Sequence, residues 1–104
     1  MDIEEYQQLS RDRAYKPINY TDALFYSGLA LCGEAGEYAN VVKKVMRDHD
    51  KVLDPVSHAK GVEELGDTIF YWVRSCEALG VSPTEVMLAN LNKLEVLRAE
   101  RGIV

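Results

Sequence analysis

Two pairs of acidic residues, each spaced by three and each set beside glycine inside an apolar run, constrain this chain more than any other feature. Glu34 and Glu37 lie in Gly33-Glu34-Ala35-Gly36-Glu37, and Glu64 and Asp67 lie in Glu63-Glu64-Leu65-Gly66-Asp67. On a helix, a spacing of three leaves two side chains about 60° apart around the axis and one turn apart along it. Apolar neighbours turn both pairs inward, where an unpaired carboxylate is costly. Two antiparallel helices that point four acids into one space need a neutralising partner. The simplest one is a hard divalent cation, with Mg²⁺ and a phosphate-bearing substrate the best fit.

Helix signals account for the whole chain. Ile3, Tyr6 and Leu9 recur at threes, and Asp2, Glu4 and Glu5 suit a helix N-terminus, which predicts a first helix over about residues 2–13. Pro17 predicts a break over 14–19. A long helix follows over 21–47, capped by Thr21 or Asn19, with a broad apolar face that includes Leu24, Phe25, Leu29, Cys32, Tyr38, Val42 and Val45. Gly28, Gly33 and Gly36 each weaken it by roughly 1 kcal/mol relative to Ala, which calls for close approach of a neighbouring helix or a ligand. After a polar turn over 48–53, Asp54-Pro55 starts a third helix that Gly80 ends. Ser82-Pro83-Thr84-Glu85 reads as a capping box opening a fourth helix to about residue 101, with Val86, Ala89, Leu91, Leu94 and Leu97 as its apolar members. No strand pattern or repeat is present. The expectation is one all-α domain of four helices over residues 1–104. The third helix is apolar around much of its circumference, and a chain of 104 residues with this much apolar surface predicts an obligate dimer.

A formal net charge of −5, from 12 basic and 17 acidic residues, argues against a nucleic-acid-binding surface, which needs clustered Lys and Arg. Single nucleotides are compatible with it, because a metal carries the phosphates. Cys32 and Cys76 fall in apolar helical runs and read as buried free thiols, in keeping with a reducing cytoplasm. No early stretch reads as a signal peptide or membrane span.

The donor set selects the metal. Di-iron bundles use a Glu-x-x-His element, and neither His49 nor His58 stands three after a glutamate. An all-oxygen shell selects Mg²⁺, with Mn²⁺ as a substitute. Lys60, four before Glu64, and Lys44, seven after Glu37, fall on the acidic stripes. Each is either a phosphate contact or an ordinary surface salt-bridge partner. Tyr71, four after Asp67, borders the same space, to contact a sugar or base or simply to pack.

The combined pattern resembles the all-α nucleoside triphosphate pyrophosphohydrolases, in particular the MazG-like branch related to the dimeric dUTPases and the dCTP pyrophosphatases. The resemblance covers nearly the whole chain. It rests on Leu29-Ala30-Leu31-Cys32-Gly33-Glu34-Ala35-Gly36-Glu37, on Glu63-Glu64-Leu65-Gly66-Asp67, on Asn90-Leu91-Asn92-Lys93-Leu94 in the fourth helix, and on the opening Glu5-Tyr6-Gln7-Gln8-Leu9. It implies a four-helix MazG-like bundle that forms a tight dimer, in some relatives paired into a tetramer. It implies that Glu34, Glu37, Glu64 and Asp67 hold Mg²⁺ and carry catalysis, with Glu37 a candidate to orient or deprotonate the attacking water. Lys60, Lys93 and Tyr71 occupy positions that face phosphate or nucleotide in relatives, and Asn90 is a weaker match. The implied reaction splits a nucleoside triphosphate into monophosphate and pyrophosphate as nucleotide-pool house-cleaning, with no nucleic-acid or membrane partner. Base reading is expected around Gln7, Gln8 and Tyr20. Two departures stand out: Leu97 occupies a position where some members carry Arg, and the sequence reads Arg101-Gly102-Ile103-Val104 where some continue with a glycine-rich tail. The competing reading is a non-catalytic helical interaction or regulatory module that retains a metal site.

Overall fold

The computed structural model describes residues 1–16 and 19–102. The expected break at Pro17 lies outside them, as do Ile103 and Val104. The chain forms four α-helices, α1 (Ile3–Arg11), α2 (Tyr20–Asp48), α3 (Pro55–Ala78) and α4 (Pro83–Arg101), and no strand among the described residues.

Local chemistry explains each boundary. The Asp2 carboxylate accepts from the Glu5 amide at 2.8 Å and starts α1. Of the two candidate caps for α2, Asn19 serves, accepting from the Asp22 amide at 2.9 Å. Asp54 takes both the amide and the hydroxyl of Ser57, at 2.8 and 2.7 Å, ahead of Pro55 at the first helical position. Gly80, at φ +71°, closes α3, with Gly80 N–H donating to the Glu77 carbonyl and Val81 N–H to the Cys76 carbonyl. The capping box of α4 forms only in part. The Ser82 hydroxyl accepts from Glu85 N–H at 3.4 Å, and Glu4 of α1 supplies the remaining contacts. The Glu4 carboxylate accepts from the Ser82 and Thr84 hydroxyls, at 2.8 and 2.6 Å, and from Thr84 N–H at 3.2 Å. These bonds hold its pKa below the ordinary carboxylate value, the Thr84 hydroxyl foremost.

The helices α2 and α3 form an antiparallel pair joined through Asp50 and Lys51, both in the left-handed region at φ 51° and 65°. Helix α1 packs on α3, and α4 touches α1 and α3 but does not come within 8 Å of α2 between Cα atoms. The interior is correspondingly small. Val73, Cys76 and Ala78 of α3 are buried, and so is Val45 of α2.

Much apolar surface stays uncovered. The Cα radius of gyration is 16.6 Å, against about 13 Å for a compact chain of this length. The exposed area is 7571 Å², against about 5,900 Å² for a folded monomer of this mass. On α2, Phe25, Leu29, Cys32, Gly36, Ala39 and Met46 form one exposed stripe, opposite the face that meets α3. On α3, Val62, Leu65 and Ile69 are exposed on the face whose later turn, at Val73, is covered. Cys76 is buried as expected, but Cys32 is exposed, which corrects the expectation of two buried thiols. Helix α2 carries two apolar faces, and the described residues cover only one. Nor does anything among the described residues approach Gly28, Gly33 or Gly36: a Cβ there would meet nothing within 4 Å.

Candidate functional site

The antiparallel pairing of α2 and α3 brings three of the four acids together. Carboxylate oxygens of Glu34, Glu64 and Asp67 lie within 4.8 Å of one another. Glu64 is buried and Glu34 half-buried, while Asp67 opens to solvent. Loss of hydration raises the Glu34 pKa above its ordinary value, and the charges of Asp67, Glu64 and Glu37 push it the same way. Three oxygen donors with a surplus of negative charge are the donor set that Mg²⁺ or Mn²⁺ takes, so the residues present fit such an ion.

Glu37 is the exception. Its 60° offset carries it to the edge of the helix pair, where it is exposed and outside the 4.8 Å group. It lines a cavity of about 490 Å³ toward the α2–α3 turn, together with Lys44, Lys60, Asn40, His49 and Ser57. Both nominated lysines thus border one space. Lys60 also sits 3.8 Å from the Glu64 carboxylate, so the two roles expected of it are compatible. Asn90 and Lys93 are exposed on α4, away from the cluster, because α4 does not reach α2 within one chain.

On the other side of the acids lies a cavity of about 310 Å³ at the α1 end of the pair. Tyr71 lines this cavity on the side nearest the acids. Burial raises the pKa of its hydroxyl, and so do the neighbouring Tyr26 hydroxyl and the charges of Glu34 and Asp67. The same cavity is lined by Tyr15, Tyr20, Tyr26 and Arg74. Of the residues expected to read a base, Tyr20 lines it. Gln7 is buried instead, its carbonyl accepting from Arg74 at 2.9 Å, and Gln8 is exposed. Sequence reasoning missed Tyr15, Tyr26 and Arg74. The signal available was that Tyr26 precedes Glu34 by eight and Arg74 follows Asp67 by seven, which keeps both near the acidic faces. It also missed Tyr6, whose hydroxyl is raised by burial and by the Asp67 charge.

Along the helix pair the order is therefore aromatic cavity, acidic cluster, lysine cavity. Along α2 the acids lie about ten residues, or roughly 15 Å, from the centre of the first and about seven residues, or roughly 10 Å, from the centre of the last. No described helix is long and apolar enough to cross a membrane.

The chain is 36% identical over 108 residues to the Gene 37 protein of Mycobacterium phage L5, in an alignment covering 100% of this chain and 94% of the phage protein. It belongs to the family of that protein. No family model matches it, and no solved structure matches it.

Proposed function

We propose that this member of the Gene 37 family is a Mg²⁺-dependent nucleoside triphosphate pyrophosphohydrolase of the MazG-like kind, acting in the cytoplasm to clear nucleotides as monophosphate and pyrophosphate. One observation carries the reading: the oxygens of Glu34, Glu64 and Asp67 converge within 4.8 Å between two helices, and a cavity holding Lys44 and Lys60 begins beside them.

Glu34, Glu64 and Asp67 would hold Mg²⁺, or Mn²⁺ in its place. When bound, the ion supplies charge stabilisation on phosphate oxygens during an in-line displacement. Lys44 and Lys60 meet the phosphates distal to the reacting bond as point charges. Glu37 stands at the edge of the group with its carboxylate uncommitted, which suits it to orient and deprotonate the attacking water. Water adds to phosphorus, the bridging α–β P–O bond breaks, and pyrophosphate leaves toward the lysines.

The working unit in this reading is a homodimer, or a pair of dimers. The surplus of roughly 1,700 Å² over a monomer's area matches what each chain of an obligate dimer hides. The glycine-bearing stripe of α2 offers backbone that a second copy can approach closely. Asn90 and Lys93 would then reach the acids from a second chain, closing a four-helix bundle that one chain leaves open.

The test is pyrophosphate release from a nucleoside triphosphate panel, with Mg²⁺ and with EDTA. Release is expected only with the metal, and Glu37→Gln is expected to abolish it while leaving the helical circular dichroism intact. Undiminished release by Glu37→Gln removes the assigned base. No release from any nucleotide, with Mg²⁺ still bound, favours a non-catalytic interaction module.

A further inference from the structure

Helix α4 starts at a well-made joint and is thinly covered beyond it. Pro83 is its one buried residue among those described, and from Thr84 to Arg101 every side chain is half-buried or exposed. Residues 79–82 join it to α3, with Val81 N–H donating to the Cys76 carbonyl. A covalent connection sets where a rod begins, not where it points. The second tether comes from α1. One oxygen of the Glu4 carboxylate, Oε1, accepts from the Ser82 hydroxyl, the Thr84 hydroxyl and Thr84 N–H. Glu4 is itself half-buried, and it lies 78 and 80 residues from these partners in the sequence. The Thr84 amide belongs to the first turn, where amides have no partner inside the helix, and a negative charge suits that end of α4. Bonds to an ionised acceptor are about twice as strong as neutral ones.

The joint is also a lever. Thr84 stands about 3 Å along α4 from Ser82, Asn90 about 12 Å and Lys93 about 16 Å. With the helix pinned at Ser82, a sideways shift of about 1 Å at Thr84 moves Asn90 by roughly 4 Å and Lys93 by roughly 5 Å. Because α4 does not come within 8 Å of α2 between Cα atoms, α2 of the same chain does nothing to correct that course. We infer that Glu4 is a positioning residue: its clasp on Ser82 and Thr84 sets the direction of α4, and so the place where Asn90 and Lys93 meet the acids of a second copy. The inference rests on the pyrophosphohydrolase reading for what those two side chains meet. A misplacement of about 1 Å at a reacting centre costs on the order of a hundredfold in rate, so the aim of α4 is worth fixing.

Residual dipolar couplings of the backbone amides in the full chain read the direction of α4 against the other three helices, without turnover. Pyrophosphate release from nucleoside triphosphates with Mg²⁺ is measured alongside. In wild type the couplings of all four helices are expected to fit one orientation frame. In Glu4→Ala those of α4 are expected to depart from it by about 20°, the tilt that a shift of about 1 Å over a 3 Å arm produces, and kcat/KM to fall at least about tenfold. Glu4→Gln keeps the accepting oxygen and is expected to restore the direction, and the rate to within about threefold. Glu5→Ala removes an exposed charge from the same turn of α1 and is expected to change neither. In a chain already carrying Asn90→Ala and Lys93→Ala, Glu4→Ala is expected to cost less than about threefold more, because its effect passes through those residues. Should Glu4→Ala not fold, Thr84→Val, which removes one donor and keeps the shape, takes its place in every measurement. An unchanged α4 direction, an equal effect of Glu5→Ala, or an undiminished loss in the Asn90→Ala and Lys93→Ala background overturns the inference; the last makes the clasp a plain stabiliser. A redirected α4 in a protein whose wild type releases no pyrophosphate leaves the joint assigned and removes the hydrolase reading instead.

Discussion

Replacing Asp67 with Asn should have opposite effects on stability in the absence and presence of Mg²⁺. With oxygens of Glu34, Glu64 and Asp67 inside 4.8 Å, each pair of charges repels by about 1 kcal/mol at the dielectric of water and by about 3.5 kcal/mol at an effective value of 20. Asp67 is exposed, which pulls its pairs toward the lower figure, and Lys60 offsets part of the Glu64 charge. Asp67→Asn removes two of the three repulsions and keeps the side chain's shape. The variant should therefore unfold about 1–3 kcal/mol less readily than wild type in EDTA, a rise in Tm of roughly 5–15 °C for a domain of this size. Saturating Mg²⁺ should invert the order. At a thousand times its Kd the ion adds about 4.1 kcal/mol to wild type, more than the advantage of the variant, and it should add far less to a variant that has lost one of three ligands. Differential scanning fluorimetry of both proteins, at one chain concentration with EDTA or with 10 mM Mg²⁺, reads all four values. An unchanged Tm in EDTA, together with equal Mg²⁺ stabilisation of the two proteins, would refute the claim that these acids share one charged space.

Other perturbations test separate parts of the structure. Because the folded-state pKa of Glu34 is raised above 4.5, the metal-free chain should gain stability as pH falls from neutrality through that raised value, and Mg²⁺ affinity should weaken over the same interval. Below pH 4.5 the trend should reverse, since Glu4 is held low by Thr84 and Ser82, and Glu77, despite its burial, by Arg11 and Arg74. A urea series across pH 4–8 that falls steadily on acidification would contradict the first half. Lys51→Gly should raise stability by about 1 kcal/mol, because Lys51 sits at φ 65°, where a Cβ is disfavoured; an unchanged urea midpoint would count against that strain. Gly36→Ala should weaken self-association at least tenfold by sedimentation if a second copy packs on the α2 stripe. A solvent-facing stripe would give instead unchanged association and a gain of about 1 kcal/mol in helix stability.

Much of this is legible in the sequence alone, and the reasons are local. Asp54-Pro55 and Gly80 are helix punctuation whose meaning does not depend on neighbours. The meeting of Glu34 with Glu64 and Asp67 follows from spacing and a short connection. What escaped depended on geometry that spacing does not encode. Spacing sets the 60° between Glu34 and Glu37, but which of the two faces α3 is decided by how the helices roll against each other. The Glu4 carboxylate finds Ser82 and Thr84 across nearly the whole chain, a contact between polar residues that leaves no periodic trace. Cys32 looked buried because an apolar run does not reveal whether its cover comes from the same molecule. Tyr15 precedes α2 and Tyr26 lies within it, and only the fold brings their rings together.

The acids that meet on α2 and α3 are carried by two rods whose mutual phase depends on every residue between them and the connecting turn. Inserting a single residue within 35–47 or 56–63 swings whatever lies beyond it by about 100°, enough to aim Glu34 or the Glu64–Asp67 pair at solvent. The turn over 49–54 has no such gearing and absorbs added length without moving either rod's face. Length variation among members of this family that keep the three acids should therefore collect at the turn and be absent from the two helical stretches that lead into it.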